Sequence, residues 1–213
     1  HHPSSAASDV YKRQTPGSLN QDPAYPDGSG QASGWVSLLG PSVDPAEWSA
    51  VQSIPFPFNF NGAPVTEYKV SSSGVLTFNT LAANVPGTVS LALPDPSIPD
   101  NSICIWGLNA TGTNDNVSIK TFGSPGSQQE WIHFSSCTNG SIGWSYWSIV
   151  LEEGTDHIYI VDQRNTSGEG ALSVGIQIDA TTAISDPASP NVDATAGTSP
   201  TSEDDLFYTF IYG

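Results

Sequence analysis

Methionine is missing from this 213-residue chain, and cysteine occurs only twice. Basic residues are nearly as scarce: five Lys and Arg stand against 21 Asp and Glu, for a formal net charge of −16. A chain that opens on His1 and holds no methionine reads as an internal fragment or a processed product. Its acidic surface repels phosphate backbones and anionic lipid, which argues against nucleic acid and membrane surfaces as partners. No run of 18 apolar residues occurs, so no transmembrane helix and no membrane insertion is expected. No secretory leader is visible. Charged residues are only 12% of the chain, about half the usual share, and polarity comes instead from Ser, Thr, Asn and Gly. With 20 Gly and 17 Pro, turns should be frequent and helices few.

The first fourteen residues read as foreign to the fold. His1-His2 looks like the remnant of a tag, and residues 4–14 resemble a translated adapter read-through of the kind found in metagenomic gene sequences. Residues 15–33, rich in Pro, Gly, Ser, Asp and Gln, read as a flexible linker. Order is expected to begin near Trp35, giving one domain over 34–213. Without residues 1–14, only Lys69, Lys120 and Arg164 remain basic.

From Trp35 onward the chain is a series of short strand candidates separated by turn chemistry. Residues 54–60 alternate, with Phe56, Phe58 and Phe60 on one face and Pro55 and Pro57 on the other. Proline cannot donate to a ladder, so an edge strand is predicted. Asn61-Gly62 signals a tight turn into the next strand. Further strands are expected at 67–70, 75–78, 103–106, 117–122, 130–135, 146–152 and 157–161. Residues 171–179 show the clearest alternation, Leu172, Val174, Ile176 and Ile178 against Ser173, Gly175, Gln177 and Asp179, which predicts one core face and one wet face. Residues 79–101 and 180–205 read as long connections, and 206–212 as a central strand. Asp44-Pro45 could open one short helix. About ten strands without a helical period predict an all-β fold: an antiparallel two-sheet β-sandwich, jelly-roll-like.

The run Phe56–Phe60 followed by Tyr68–Phe78 resembles the opening of nidogen-like and related β-sandwich modules. Residues 144–153 and 157–164 are similar to segments of large secreted proteins of Bacteroidota that leave by the type IX route and carry a C-terminal sorting domain. No such domain is visible here, as expected of an excised module. The resemblance covers about residues 35–213. It implies a jelly-roll-like sandwich, an extracellular or cell-surface location and adhesion or spacer roles, with no catalytic residues to carry over. Its partners would be other domains of the same chain, a glycan or a cell-surface protein.

Cys104 and Cys137 lie in two strand-like runs. As cross-strand neighbours in an oxidising compartment they would form a disulfide, stabilising by about 3–4 kcal/mol in the chain-entropy model; two buried free thiols are the alternative. Neither sits in a C-x-x-C pair, so a zinc site is not expected. No cofactor is required. Structural Ca²⁺ is the one metal with candidate ligands, namely Asp27, Asn114, Asp115, Asp204 and Asp205, all hard oxygens in loop stretches. No G-x-S-x-G elbow occurs, and neither His133 nor His157 has an i+2 or i+4 His partner for zinc. Glu152 and Glu153 are adjacent and point to opposite faces of a strand, so they cannot flank one glycosidic bond. A glycoside hydrolase would need a second carboxylate such as Asp162 beside Glu152. Trp144 and Tyr146 share a strand face and, with Glu152, are the candidates for stacking on sugar. The sequence thus favours a non-catalytic extracellular accessory or adhesion module, with a carbohydrate-binding module as the first alternative and a glycoside hydrolase-like enzyme as the second.

Overall fold

The computed structural model describes residues 11–16, 34–139, 142–165, 171–192 and 206–211. Its strands are β1 (Tyr11–Pro16), β2 (Val36–Leu39), β3 (Gln52–Phe60), β4 (Ala63–Val70), β5 (Val75–Thr77), β6 (Ser102–Trp106), β7 (Leu108–Asn109), β8 (Asn116–Phe122), β9 (Gln129–Asn139), β10 (Ile142–Glu152), β11 (Ile158–Asn165), β12 (Ser173–Asp179), β13 (Thr182–Ser185) and β14 (Leu206–Ile211). They form two antiparallel sheets. The first runs β1-β14-β11-β10-β9-β8-β2, with β7 also paired to β9; the second runs β13-β12-β6-β5-β4-β3. The fold is the expected all-β sandwich, without a helix among the described residues. Asp44–Glu47, read as a possible helix start, is irregular chain ahead of a bridge from Trp48 to Ser71.

Several elements follow directly from residue chemistry. β3 buries Phe56, Phe58 and Phe60, exposes Pro55 and Pro57, and lies at a sheet edge where the missing N–H groups cost no ladder bond. Asn61 and Gly62 turn into β4 at φ 50° and 72°, the left-handed pair of a type I′ hairpin. Gly74, at φ 89°, closes the β4–β5 turn where a Cβ would lie 2.1 Å from the Ile105 carbonyl oxygen. The inter-sheet core gathers these phenylalanines with Tyr68, Ile103, Ile105, Ile132, Phe134, Trp147, Ile149, Leu151, Ile158, Ile160, Val174, Ile176, Tyr208 and Phe210.

Order begins earlier than the sequence suggests. Tyr11–Pro16 pairs antiparallel with β14, from Tyr11 opposite Ile211 to Pro16 opposite Leu206. These polar residues are in a ladder because β14 would otherwise offer an unpaired edge. The predicted central position of β14 thus depends on a segment read as foreign to the fold.

The face of β12 expected to be wet is not. Ser173 and Gln177 are fully buried, because residues 79–101 cross the outer face of the second sheet as a strap. Gln177 Nε2 donates to the carbonyls of Asp95 and Ile98 at 3.0 and 2.9 Å, and its Oε1 accepts the Asp95 N–H at 2.8 Å. Trp106 Nε1 donates to the Gly87 carbonyl at 2.6 Å, Ser73 to that of Pro86 at 2.8 Å, and Ser173 to that of Leu91. Lys69 donates to the Ala82 carbonyl and lies 4.8 Å from the Trp48 ring centre. Beneath the strap Val75, Ile98, Cys104 and Trp106 form a small apolar cluster of their own.

That cluster corrects the disulfide. Cys104 and Cys137 are free and buried. On β6, Ile103 and Ile105 face the inter-sheet core, so Cys104 must face outward, under the strap. Cys137 belongs to the core of the other sheet. A bulge helps to put it there: Ser136 has φ 62°, and the β9–β10 register shifts between Ser145 and Trp147, so Cys137 follows Phe134 inward. The two sulfurs lie on opposite sides of the second sheet. Burial pushes both thiols well above their usual range.

Two outcomes are expected. An aromatic disulfide reagent should leave both thiols of the native chain untouched and titrate two per chain after denaturation; fast reaction of either in the folded protein would contradict the burial. Gln177→Ala should lower unfolding free energy by about 1–3 kcal/mol, the range for orphaned buried partners, and should speed proteolytic cleavage within 79–101.

Candidate functional site

Among the described residues, three groups of polar side chains on the first sheet bear on the candidate chemistry. One is inside the sandwich. Glu130 shares the inward parity of Ile132 and Phe134 on β9 and is 3% exposed. Tyr68, reaching across from the second sheet, donates to its Oε1 at 3.1 Å, and Thr121 donates to its Oε2 at 2.6 Å. Burial raises the Glu130 pKa above the usual 4.5, against the two hydrogen bonds that lower it. Burial and the neighbouring Glu130 carboxylate push Tyr68 up in turn. The signal was legible: a glutamate on the core-facing parity of an apolar strand.

The second place is the outward face, where Trp35, Trp131, Tyr146, Val150, Tyr159 and Val161 form an apolar layer with Phe122, Trp144 and Phe207 packed on it. Within it His133 Nδ1 lies 2.9 Å from Ser148 Oγ, which donates to Gln163 Oε1 at 2.9 Å. The hydroxyl proton is directed at the glutamine, and His133 and Ser148 are sealed from solvent. This pair cannot act as nucleophile and base on an external substrate. Trp144 and Tyr146 are in contact, but as an edge-to-face pair, with ring centres 5.4 Å apart and planes at 76°. Tyr146 is 4% exposed. They do not form a flat platform.

The third place is the β10–β11 turn. Glu152 Oε1 accepts from Gln129 at 2.9 Å, and Oε2 accepts from Thr155 at 2.7 Å and Tyr159 at 2.9 Å, with His157 Nδ1 at 3.5 Å. Burial pushes its pKa up, but the bonds from Thr155, Gln129 and Tyr159 and the nearby His157 outweigh it, so the carboxyl is held below its ordinary range. Glu153 turns away to accept the N–H groups of Gly126 and Gln128 at 2.7 and 3.0 Å. Beside them lies an open groove of about 430 Å³. Six residues of extended strand, about 20 Å at 3.3–3.4 Å each, separate Glu152 from Tyr146, so the three candidate sugar-binding residues do not converge. Asp162 is fully buried on the core parity of Ile158 and Ile160, on the far side of the sheet from Glu152. The pair a glycoside hydrolase would need is therefore not assembled there.

Of the calcium candidates, Asp27, Asp204 and Asp205 lie outside the described residues. Asn114 is exposed. Asp115 is 3% exposed and its Oδ2 accepts the Gly112 N–H at 2.7 Å. The loop closes so tightly round this carboxylate that a Cβ on Gly112 would lie 2.6 Å from Oδ1. Among the described residues no group of three or more His, Cys, Asp and Glu could hold a metal ion.

The family model described as NIDO related matches residues 34–212. The chain belongs to this nidogen-related family. Searches of curated proteins and of solved structures returned no match. The nidogen-related match spans the sandwich from just before β2 to the end of β14 and includes the Phe56–Phe60 and Tyr68–Phe78 runs that carried the resemblance.

Glu130 makes stability depend on pH. Its folded-state pKa is raised, so its contribution is full below about 4.5 and is lost as pH rises through the higher folded value. Glu130→Gln keeps an acceptor for Tyr68 without the ionisation. In denaturant melts the variant should gain on the wild type between pH 4 and 7; a difference independent of pH would show that Glu130 does not carry the effect.

Proposed function

We propose that this nidogen-related chain is a non-catalytic, extracellular accessory or adhesion module of a larger secreted or surface protein. The observation that carries the reading is the family match across nearly the whole sandwich, residues 34–212, in a family whose modules are usually extracellular. The geometry is in keeping with it. Glu130, Glu152, Glu153 and Asp115 are engaged by hydrogen bonds that hold strands, turns and loops together. Such groups serve as structural polar contacts, and function on such a scaffold is expected from the surfaces between its loops. The strongly acidic composition favours partners other than nucleic acid and anionic membrane.

Beads carrying the full chain should be retained on extracellular matrix, cell surfaces or insoluble polysaccharide more than beads carrying an unrelated acidic protein. The same preparation should release no reducing sugar from those polysaccharides. Retention equal to the control on every surface would overturn the adhesion role, and sugar release abolished by Glu152→Gln would replace the module with an enzyme.

A further inference from the structure

We propose that the groove between the strap and the turns at Gly107–Asn109 and Pro190–Asn191 is a binding site for an uncharged, hydroxyl-rich ligand, a neutral saccharide. The inference rests on the module reading above and names its ligand class.

The groove has a volume of about 310 Å³, at the small end of ligand sites, which run from about 300 to 1,000 Å³. Thr88, Ser90, Asn109 and Asn191 line it with hydroxyl and amide groups, and Val89 and Pro190 add aliphatic surface. None of the described lining residues is ionisable. Charged residues are sparse along the whole chain, and residues 79–94 of the strap contain no ionisable side chain. The same stretch carries Leu81, Val89 and Leu91, which are 91%, 77% and 53% exposed. An anionic ligand would meet the field of the whole molecule without a basic partner in the groove. A cationic one would find no carboxylate among the described lining residues. Hydroxyls that both donate and accept, on a ring with apolar C–H edges, match amides and hydroxyls interleaved with aliphatic carbon.

The walls are fixed before any ligand arrives. Ser90 Oγ donates to the Ala171 carbonyl at 2.6 Å and reaches that of Pro190 at 3.2 Å, tying the strap to both opposite turns. Trp106 holds the strap at Gly87, one residue before Thr88. Leu172 and Val192 are bridged, with Val192 N–H on the Leu172 carbonyl at 3.0 Å. Gly107 keeps the floor open: at φ 121°, a Cβ there would lie 2.4 Å from the Ala171 oxygen and 3.3 Å from Ser90 Cβ. Such preorganisation reduces the ordering cost of binding.

The test is a ¹H–¹⁵N titration of the full chain with neutral gluco-, manno-, galacto- and xylo-oligosaccharides, with oligogalacturonate as the charged control. At least one neutral series should give saturable shifts at residues 88–91, 107–109 and 190–191, and the charged fragment should give none. The double variant Thr88→Ala, Asn191→Ala changes two exposed side chains, so its unfolding midpoint should match the wild type while affinity falls about tenfold or more. Absence of shifts with every neutral series, equal binding of the charged fragment, or binding centred on Trp144 and Tyr146 and unmoved by the double variant would each overturn the site. So would shifts in these loops produced only by peptides. Bead retention without saccharide binding would reject the groove and leave the module reading; loss of both would reject both.

Discussion

A buried polar side chain must find partners within the protein, and Gln177 shows how much of this molecule depends on that rule. It sits on a strand whose pattern assigns it to solvent, yet it is completely covered. What makes the burial stable is three hydrogen bonds to the backbone of a crossing segment. Ser73, Ser173, Lys69 and Trp106 repeat the arrangement along the same face. A stretch without regular structure is thereby tied to the sheet at several points. The second sheet acquires two covered faces, one against its partner sheet and one against the strap. The groove between strap and turns exists because the strap is held at fixed points and arches between them.

The parts of the fold written in short-range pattern were legible. The alternating phenylalanines of β3, the two prolines that send it to an edge, the Asn61-Gly62 turn and the inward set Trp147, Ile149 and Leu151 all appear where residue chemistry places them. What was not legible depends on contacts between distant segments. Alternation in β12 says which residues share a face but not that a segment some eighty positions earlier covers it. The bulge at Ser136 changes the parity of Cys137, and nothing local announces it. Tyr11–Pro16 joins the first sheet only because β14 presents an edge.

The candidate site divides in the same way. Trp144 and Tyr146 were correctly read as neighbours, but ring tilt is set by packing in three dimensions and not by strand spacing. Glu152 looked available in sequence; its donors come from three other positions, Gln129, Thr155 and Tyr159. The groove residues 88–90, 107–109, 171 and 190–191 are dispersed over four stretches, so no spacing could have gathered them. The run 79–94 is uncharged, but so is the longer run 48–66, so charge patterning singled out no groove. Membership of the nidogen-related family goes with the sandwich.

The two cysteines have a consequence for how the chain is made. Each sulfur is enclosed in a separate apolar layer, and no covalent cross-link joins the described segments. Maturation therefore waits for no thiol oxidant and no disulfide isomerase, and no mispaired disulfide competes with the native state. No disulfide is needed to hold this sandwich together, in a reducing medium or an oxidising one. Thiol redox conditions therefore place no constraint on where the chain acquires its structure.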